Sequence, residues 1–461
     1  MKKIISKIKL AAAVLVLGPA CAAARDTAAL TLTGAVSRTI AHSYDLKSRD
    51  AAVAQAEAAV RHANSMRLPG LNLRSDLTRG DDPVYVFGTL LRQGKFGMQD
   101  FAIDKLNDPS YKVNFANSLE LGVPLFTGFR ISNYKKLGET AVLQGKAVRA
   151  FAGTAEAFQS AQKYLMLFLK TELARIAAET VASTKEEVAA AGRLKEKGLV
   201  LGSDYYAAQA ALSSLSAAQT GFEKDAEAAS ASLNVLMGSE PGTKIALPGA
   251  FPKHLYALPA ENDLVKDISR RRGDITAARL QGEAAEIAKS IEADSILPQI
   301  GAFASLQTNS TTLHDTPFQR MIGVGMTLPF GDLTRGARID EKKALKAQAD
   351  NSALAMQDAA AAQIAEYYRN YESALAVLPL TEEALAGAQL SLDLFKPMFR
   401  QGRQSVLEVV RAESALMNAR AARAEAIFKL HSYYLALMFI SGGLDEARTS
   451  EISAALSGEI Q

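Results

Sequence analysis

LGVPLFTGF (Leu121 to Phe129), a long Ala-rich run, and then KGLVLGSDYYAAQAAL (Lys197 to Leu212) form a passage that this chain contains twice. The second copy reads GMTLPFGDL (Gly325 to Leu333), another long run, and QGRQSVLEVVRAESAL (Gln401 to Leu416). Pro124 maps onto Pro329, Gly198 onto Gly402 and Asp204 onto Glu408. The lead-in segments match too, since LPGLNL after Arg67 parallels LPQIGA after Ile296. A unit of about two hundred residues written twice is a duplicated domain and not a short-period solenoid. The copies are expected over residues 25–238 and 263–443, each a helix, a β-hairpin and a long helix pair. A Pro/Gly-rich linker (239–262) joins them, and a C-terminal tail (444–461) follows.

Within each copy the period changes. Thr27 to Met66 reads as helix and is closed by Leu68-Pro69, because proline cannot continue a helix and restricts the residue before it. From Val113 to Leu125 apolar positions then alternate with Asn114, Ser118 and Glu120, the pattern of a strand with one apolar and one polar face. Leu71 to Thr78 is its partner, giving a hairpin over about 71–125. The second hairpin, about 300–328, pairs Ile300 to Leu306 with the alternation Ile322, Val324, Met326, Leu328. The first hairpin loop carries Tyr85, Phe87, Phe96 and Phe101, so it is expected to fold locally. Ile131 to about Lys197 and Arg335 to about Gln401 are helices of roughly 100 Å at 1.5 Å per residue. Return helices follow at Tyr205 to Met237 and Val406 to Phe439. Pro379 and Pro397 are expected to bend the second long helix.

The N-terminus reads MKKIISKIKL and then AAAVLVLGPACAAA, a basic start, a short apolar core and small residues, which together describe a secretory signal over residues 1–24. No segment reaches the roughly 20 apolar residues of a spanning helix. Cys21 is the sole cysteine, so no internal disulfide forms. It belongs either to the discarded leader or to a lipidated N-terminus. Lys2, Lys3, Lys7 and Lys9 lie in the leader, and without them the 52 Lys and Arg fall just below the 49 Asp and Glu. No basic stripe is left to bind nucleic acid. His42, His62, His254, His314 and His431 are scattered without metal-ligand spacing, and no nucleophile elbow or phosphate loop is present, so neither enzyme nor cofactor is expected.

Four strands cannot close a barrel around a lumen, yet a spanning sheet must close because hydrocarbon offers no partner for edge amides. Three chains supply about twelve strands, enough for a small barrel in the outer membrane. VPLFTG (Val123 to Gly128), LPFGD (Leu328 to Asp332), KGLVLGSD and QGRQSVLEV, duplicated and in order, resemble the TolC family of outer-membrane efflux and secretion channels over nearly the whole mature chain. The resemblance implies a homotrimeric twelve-stranded barrel continued by a periplasmic α-helical cylinder. It further implies a passive exit duct for an inner-membrane pump, reached through a periplasmic adaptor and performing no covalent chemistry. Protein secretion by a type I system uses the same duct, and a soluble periplasmic coiled-coil adaptor is the alternative of another class.

The resemblance also assigns sites. The turns at Gly198, Ser203, Gly402 and Ser405 fall at the family's periplasmic tip, where polar links between turns hold the duct shut. They also have an ordinary reading as helix caps, with Ser405 and Glu408 at capping-box spacing. Glu408 matches the first acid of the family's pore constriction, while Arg411 stands where the second is usual. Phe399, Gln404, Ser203 and Asp204 fall at the linking positions, and Arg403 is a substitute for the missing charge at Gln404. Pro124, Phe126, Gly128, Pro329 and Phe330 mark the strand-to-helix junctions. Phe126, Phe129 and Phe330 suit an interfacial belt in outer-membrane lipid or simple packing there.

Overall fold

The computed structural model describes residues 29–249, 251–312, 317–329 and 331–458. The expected leader, with Cys21, and Phe330 lie outside them. The chain opens with two helices, α1 (Leu32–His42) and α2 (Tyr44–Ser65), where one was expected. Ser43 makes the break: its hydroxyl accepts from Leu46 N–H to cap α2 and donates to Glu156 at 2.9 Å. Strand β1 (Gly70–Gly80) follows, and then a loop carrying α3 (Pro83–Arg92) and α4 (Ile103–Asn107) leads to β2 (Lys112–Thr127).

Two helices of great length come next, α5 (Arg130–Glu196) and α6 (Gly202–Leu236). After the linker, short helices α7 (Glu261–Val265) and α8 (Ile268–Arg271) lead into α9 (Gly273–Ala293). The second half repeats the first with β3 (Gln299–Ser310), β4 (Phe318–Thr327), α10 (Arg335–Arg400) and α11 (Val406–Ile440). Helix α10 runs unbroken through Pro379 and Pro397. The tail also holds a helix, α12 (Glu446–Ser457), which alternation and motif reading did not reveal. Asp445 caps it, and it packs on α1.

The strands form one antiparallel sheet in the order β1-β2-β3-β4, so β1 and β4 are its edges. The register sorts the side chains. Leu71, Leu121, Ala304 and Ile322 share one face, as do Val123, Ala302 and Val324. Asn72, Glu120, Ser305, Ser118 and Gln307 share the other. Among the described residues nothing covers the apolar face: Leu73 is 72% exposed and Ile322 87%.

Helices pack with the same pseudo-symmetry. α2 lies on α5 as α9 lies on α10, and each long helix pairs with its return helix. The halves meet where α5 also packs against α9 and α11. The main core lies midway along the bundle, built from Leu165, Phe168 and Ile176 of α5, Ile364 and Leu378 of α10, and Ile427, Leu430 and Leu437 of α11. The linker is strapped onto it. His431 of α11 is buried, with Nε2–H donating to Pro252 O (3.0 Å) and Nδ1 accepting from the Tyr256 hydroxyl (2.7 Å). Tyr256 stacks on Tyr434 at 3.9 Å between ring centroids.

Candidate channel site: the helix tips and the polar sheet face

Far from the sheet, α5 turns into α6 and α10 into α11 by the same local device. Gly198 (φ 71°) and Gly402 (φ 70°) take the left-handed conformation that glycine adopts without a Cβ penalty. Gly198 N–H donates to Lys195 O and Leu199 N–H to Leu194 O, both at 2.9 Å. Gly402 to Phe399 and Arg403 to Met398 repeat this pair, also at 2.9 Å, so both turns are Schellman caps. A second core seals the tip: Val188, Ala208, Leu215, Leu392, Phe399, Val406, Val409 and Val410 are buried together. Phe399, a linking position by resemblance, is thus a core residue at 2% exposure.

Polar groups join the two turns. The Ser405 hydroxyl donates to Asp204 Oδ2 at 2.7 Å, linking the start of α11 to that of α6. Ser203 Oγ lies 3.5 Å from Asp204 Oδ1. The capping box at Ser405 is half made: its hydroxyl accepts from Leu407 N–H, but the Glu408 carboxylate turns to Arg411 Nη1 at 2.6 Å. Glu408 therefore carries its counter-charge one helical turn away in its own chain. Gln404 is half-buried and Arg403 exposed on the same turn.

A deeper set of charges escaped the sequence reading. Glu413 is buried, pairs with Lys396 Nζ at 2.7 Å and accepts from the Ser183 hydroxyl at 2.5 Å. Lys396 also donates to Ser183 at 2.8 Å, and buried Glu187 pairs with Arg400 at 3.0 Å. These contacts fasten α5 to α10 and α11 just behind the tip. The available signal was acids on otherwise apolar helix faces, which gains meaning only once the partner helix is placed.

At the other end the junctions are tightly built. Gly128 has φ 59°, and a Cβ there would sit 3.0 Å from Leu297 Cβ and 3.2 Å from Asp294 O, so only glycine fits. Phe126 and Phe129 pack edge-on at 5.4 Å. Pro124 lies beyond the last β1 partner, Gly122, next to a bulge between Pro124 and Phe126. Pro329 precedes a turn where Asp332 accepts from Arg338 (2.6 Å) and Thr334 (2.7 Å). No helix among the described residues is long and apolar enough to cross a membrane.

One chain therefore presents a sheet with an apolar face, a polar face and two edge strands, continuous with a helical shaft that turns back on itself at a tip. This is the architecture of a channel protomer whose sheet enters a membrane and whose helices form a duct. The sequence pattern of the outer membrane efflux protein family matches residues 35–239 and 264–443, and the chain belongs to that family. Its fold is similar to that of the CmeC outer membrane channel of Campylobacter jejuni (16% identity, 93% of this chain and 90% of that one, TM-score 0.77). The outer membrane protein VceC of Vibrio cholerae is similar at 18% identity, 89% and 96% coverage and TM-score 0.74. The MtrE outer membrane channel of Neisseria gonorrhoeae, solved in an open state, is similar at 15% identity, 90% and 89% coverage and TM-score 0.72. No curated protein matches the sequence. The outer membrane is accordingly the location of this non-enzymatic pore protein.

Proposed function

We propose that the chain assembles as a homotrimer into a passive efflux duct, receiving substrate from an inner-membrane pump through a periplasmic adaptor. The observation that carries this is the unequal cover of the two long helices. α5 is packed against α2 and α6 of its own half and also against α9 and α11 of the other. Its pseudo-equivalent α10 packs on α9 and α11 alone among the long described helices and leaves Leu354, Leu380, Leu390 and Leu394 open, each 58–63% exposed. Cyclic repetition covers that side with the next copy and pairs β4 with the next β1, so both free surfaces close at once. Three copies give about twelve strands and a small lumen. The two pattern matches support the repeats as units over 25–238 and 263–443.

In this assembly Asp204, Ser203 and Ser405 hold the two turns together at the periplasmic end, and the Glu408–Arg411 pair lies beside them with Arg403 and Gln404. Because Arg411 offsets Glu408, the constriction discriminates weakly between cations and anions. Light scattering of detergent-purified protein and planar-bilayer recording test the reading. A trimer with small, mostly closed conductance is expected. A monodisperse monomer that does not insert would overturn it.

A further inference from the structure

The β1–β2 loop is more than a connection. Residues 81–111 carry α3 and α4, and Phe96 packs edge-on against both Phe87 (4.9 Å) and Phe101 (5.0 Å). Its attachment to the sheet decides what it does. Gln93, buried just past the end of α3, donates from Nε2 to Val113 O (2.8 Å) and Asn114 Oδ1 (3.0 Å). Asn114 donates to Asn309 Oδ1 (2.9 Å), Asn309 to Gln319 Oε1 (3.3 Å), and Gln319 back to Arg92 O (2.9 Å). A closed circuit of amides thus runs from the loop through β2, β3 and β4. The Tyr85 hydroxyl adds a second tie, 2.8 Å from Thr78 Oγ1, and Lys95 Nζ donates to Thr311 Oγ1 at 2.9 Å.

Every strand side chain in these ties belongs to the polar face, Val113 contributing only its backbone carbonyl. Thr78 pairs with Asn114, Ala116 with Asn309, and Gln307 with Gln319, all on the side of Ser118 and Glu120. The loop is therefore folded over the face that looks into the barrel, away from lipid. Large apolar side chains of the loop are left open: Val84 is 79% exposed, Met98 85% and Ile103 76%.

Resting on the channel reading above, we infer that residues 81–111 form a second constriction at the outer mouth, where α3 and α4 of three copies of this chain meet across the axis. The sizes agree. Twelve strands about 4.8 Å apart and tilted near 40° make a barrel roughly 23 Å across between backbones. Three copies of α3, each about 10–12 Å in diameter, packed around an axis fill a circle of that size, with the five-residue α4 at their ends. The partner of these open apolar side chains is thus the same segment of the neighbouring copies, which the barrel's closure brings there. Substrate leaving the duct then passes two barriers in series, the helix tips and this plug.

Single-channel conductance in planar bilayers tests the plug with four proteins. They are wild type, a tip variant (Asp204→Ala with Glu187→Ala), a loop variant with residues 84–110 replaced by a short Gly/Ser turn, and the two combined. Gln93→Ala with Gln319→Ala, which keeps the loop length and breaks only the circuit, replaces the loop variant should that fail to insert. Two comparable resistances in series predict that either change alone raises conductance by no more than about two-fold and that the combination raises it by more than the two single changes multiplied together. The plug is overturned if the tip variant alone reaches the full conductance and neither loop change adds to it. A combined variant that inserts as a trimer and conducts nothing removes the channel reading itself, and the plug with it.

Discussion

His431 is fully buried with two hydrogen bonds, so a positive charge on its ring would be held out of reach of solvent. Desolvation pushes its pKa from 6.5 down to about 4, and His254 nearby adds to the lowering, against the pull of Pro252 O. The unfolded chain therefore binds a proton between pH 6.5 and 4 that the folded one refuses. Stability is intact above pH 6.5 and falls as pH drops toward 4, by on the order of 3 kcal/mol in all. Thermal midpoints followed by circular dichroism should drop across that window, and less so in His431→Gln, which cannot titrate. An equal drop in both proteins would assign acid sensitivity elsewhere. At the tip, Lys396→Met strands buried Glu413 and should cost about 3 kcal/mol, whereas Lys396→Met with Glu413→Leu should recover most of that loss. A double variant as unstable as the single one would show that packing around Ser183 matters more than charge. Neither group was legible in the sequence. His431 is one of five scattered histidines, and Glu413 lies in a run, VRAESAL, that reads as an ordinary helix face.

Elements were far easier to foresee. The strands stand out because alternation over Val113 to Leu125 fits only a sheet with two unlike faces. The long helices end where Gly198 and Gly402 stand, since a left-handed residue stops a helix. The misses have local causes. Ser43 breaks a run rich in good helix formers by bonding its own backbone neighbourhood, an event propensity cannot see. α12 was missed because the tail is short and carries little helical periodicity, so its ordering comes from packing on α1. At this scale the two caps give a paired test. An alanine at Gly198 or at Gly402 meets nothing within 4 Å, so the penalty is backbone strain alone, about 1 kcal/mol at each. Matching falls in thermal midpoint would support equivalent tips, and a much larger loss at one would show that its turn bears other load.

The molecule as a whole is unfinished as a single chain. The sequence disclosed the duplication and hence the pseudo-symmetry, but not that α5 is enclosed by its own chain while α10 is left open. That inequality arises from how the halves pack, which a linear repeat does not encode. It predicts that Leu380→Glu or Leu390→Glu spares the protomer's helical content and abolishes the trimer, read by light scattering beside circular dichroism. Loss of secondary structure in step with assembly would mean that the leucines belong to the protomer's own core.

The position of the β2–β3 pair has a kinetic consequence. These neighbouring strands are separated in the chain by everything from Gly128 to Pro298, including α5, α6 and α9. Helices form from local contacts in about a microsecond, whereas a pairing across so long a loop must wait for its ends to meet. The shaft should therefore be folded before the sheet is, leaving a helical body with two unjoined hairpins as the species that reaches the membrane. For such a chain insertion is the last folding step, and the bilayer supplies the surroundings in which the sheet first becomes worth making.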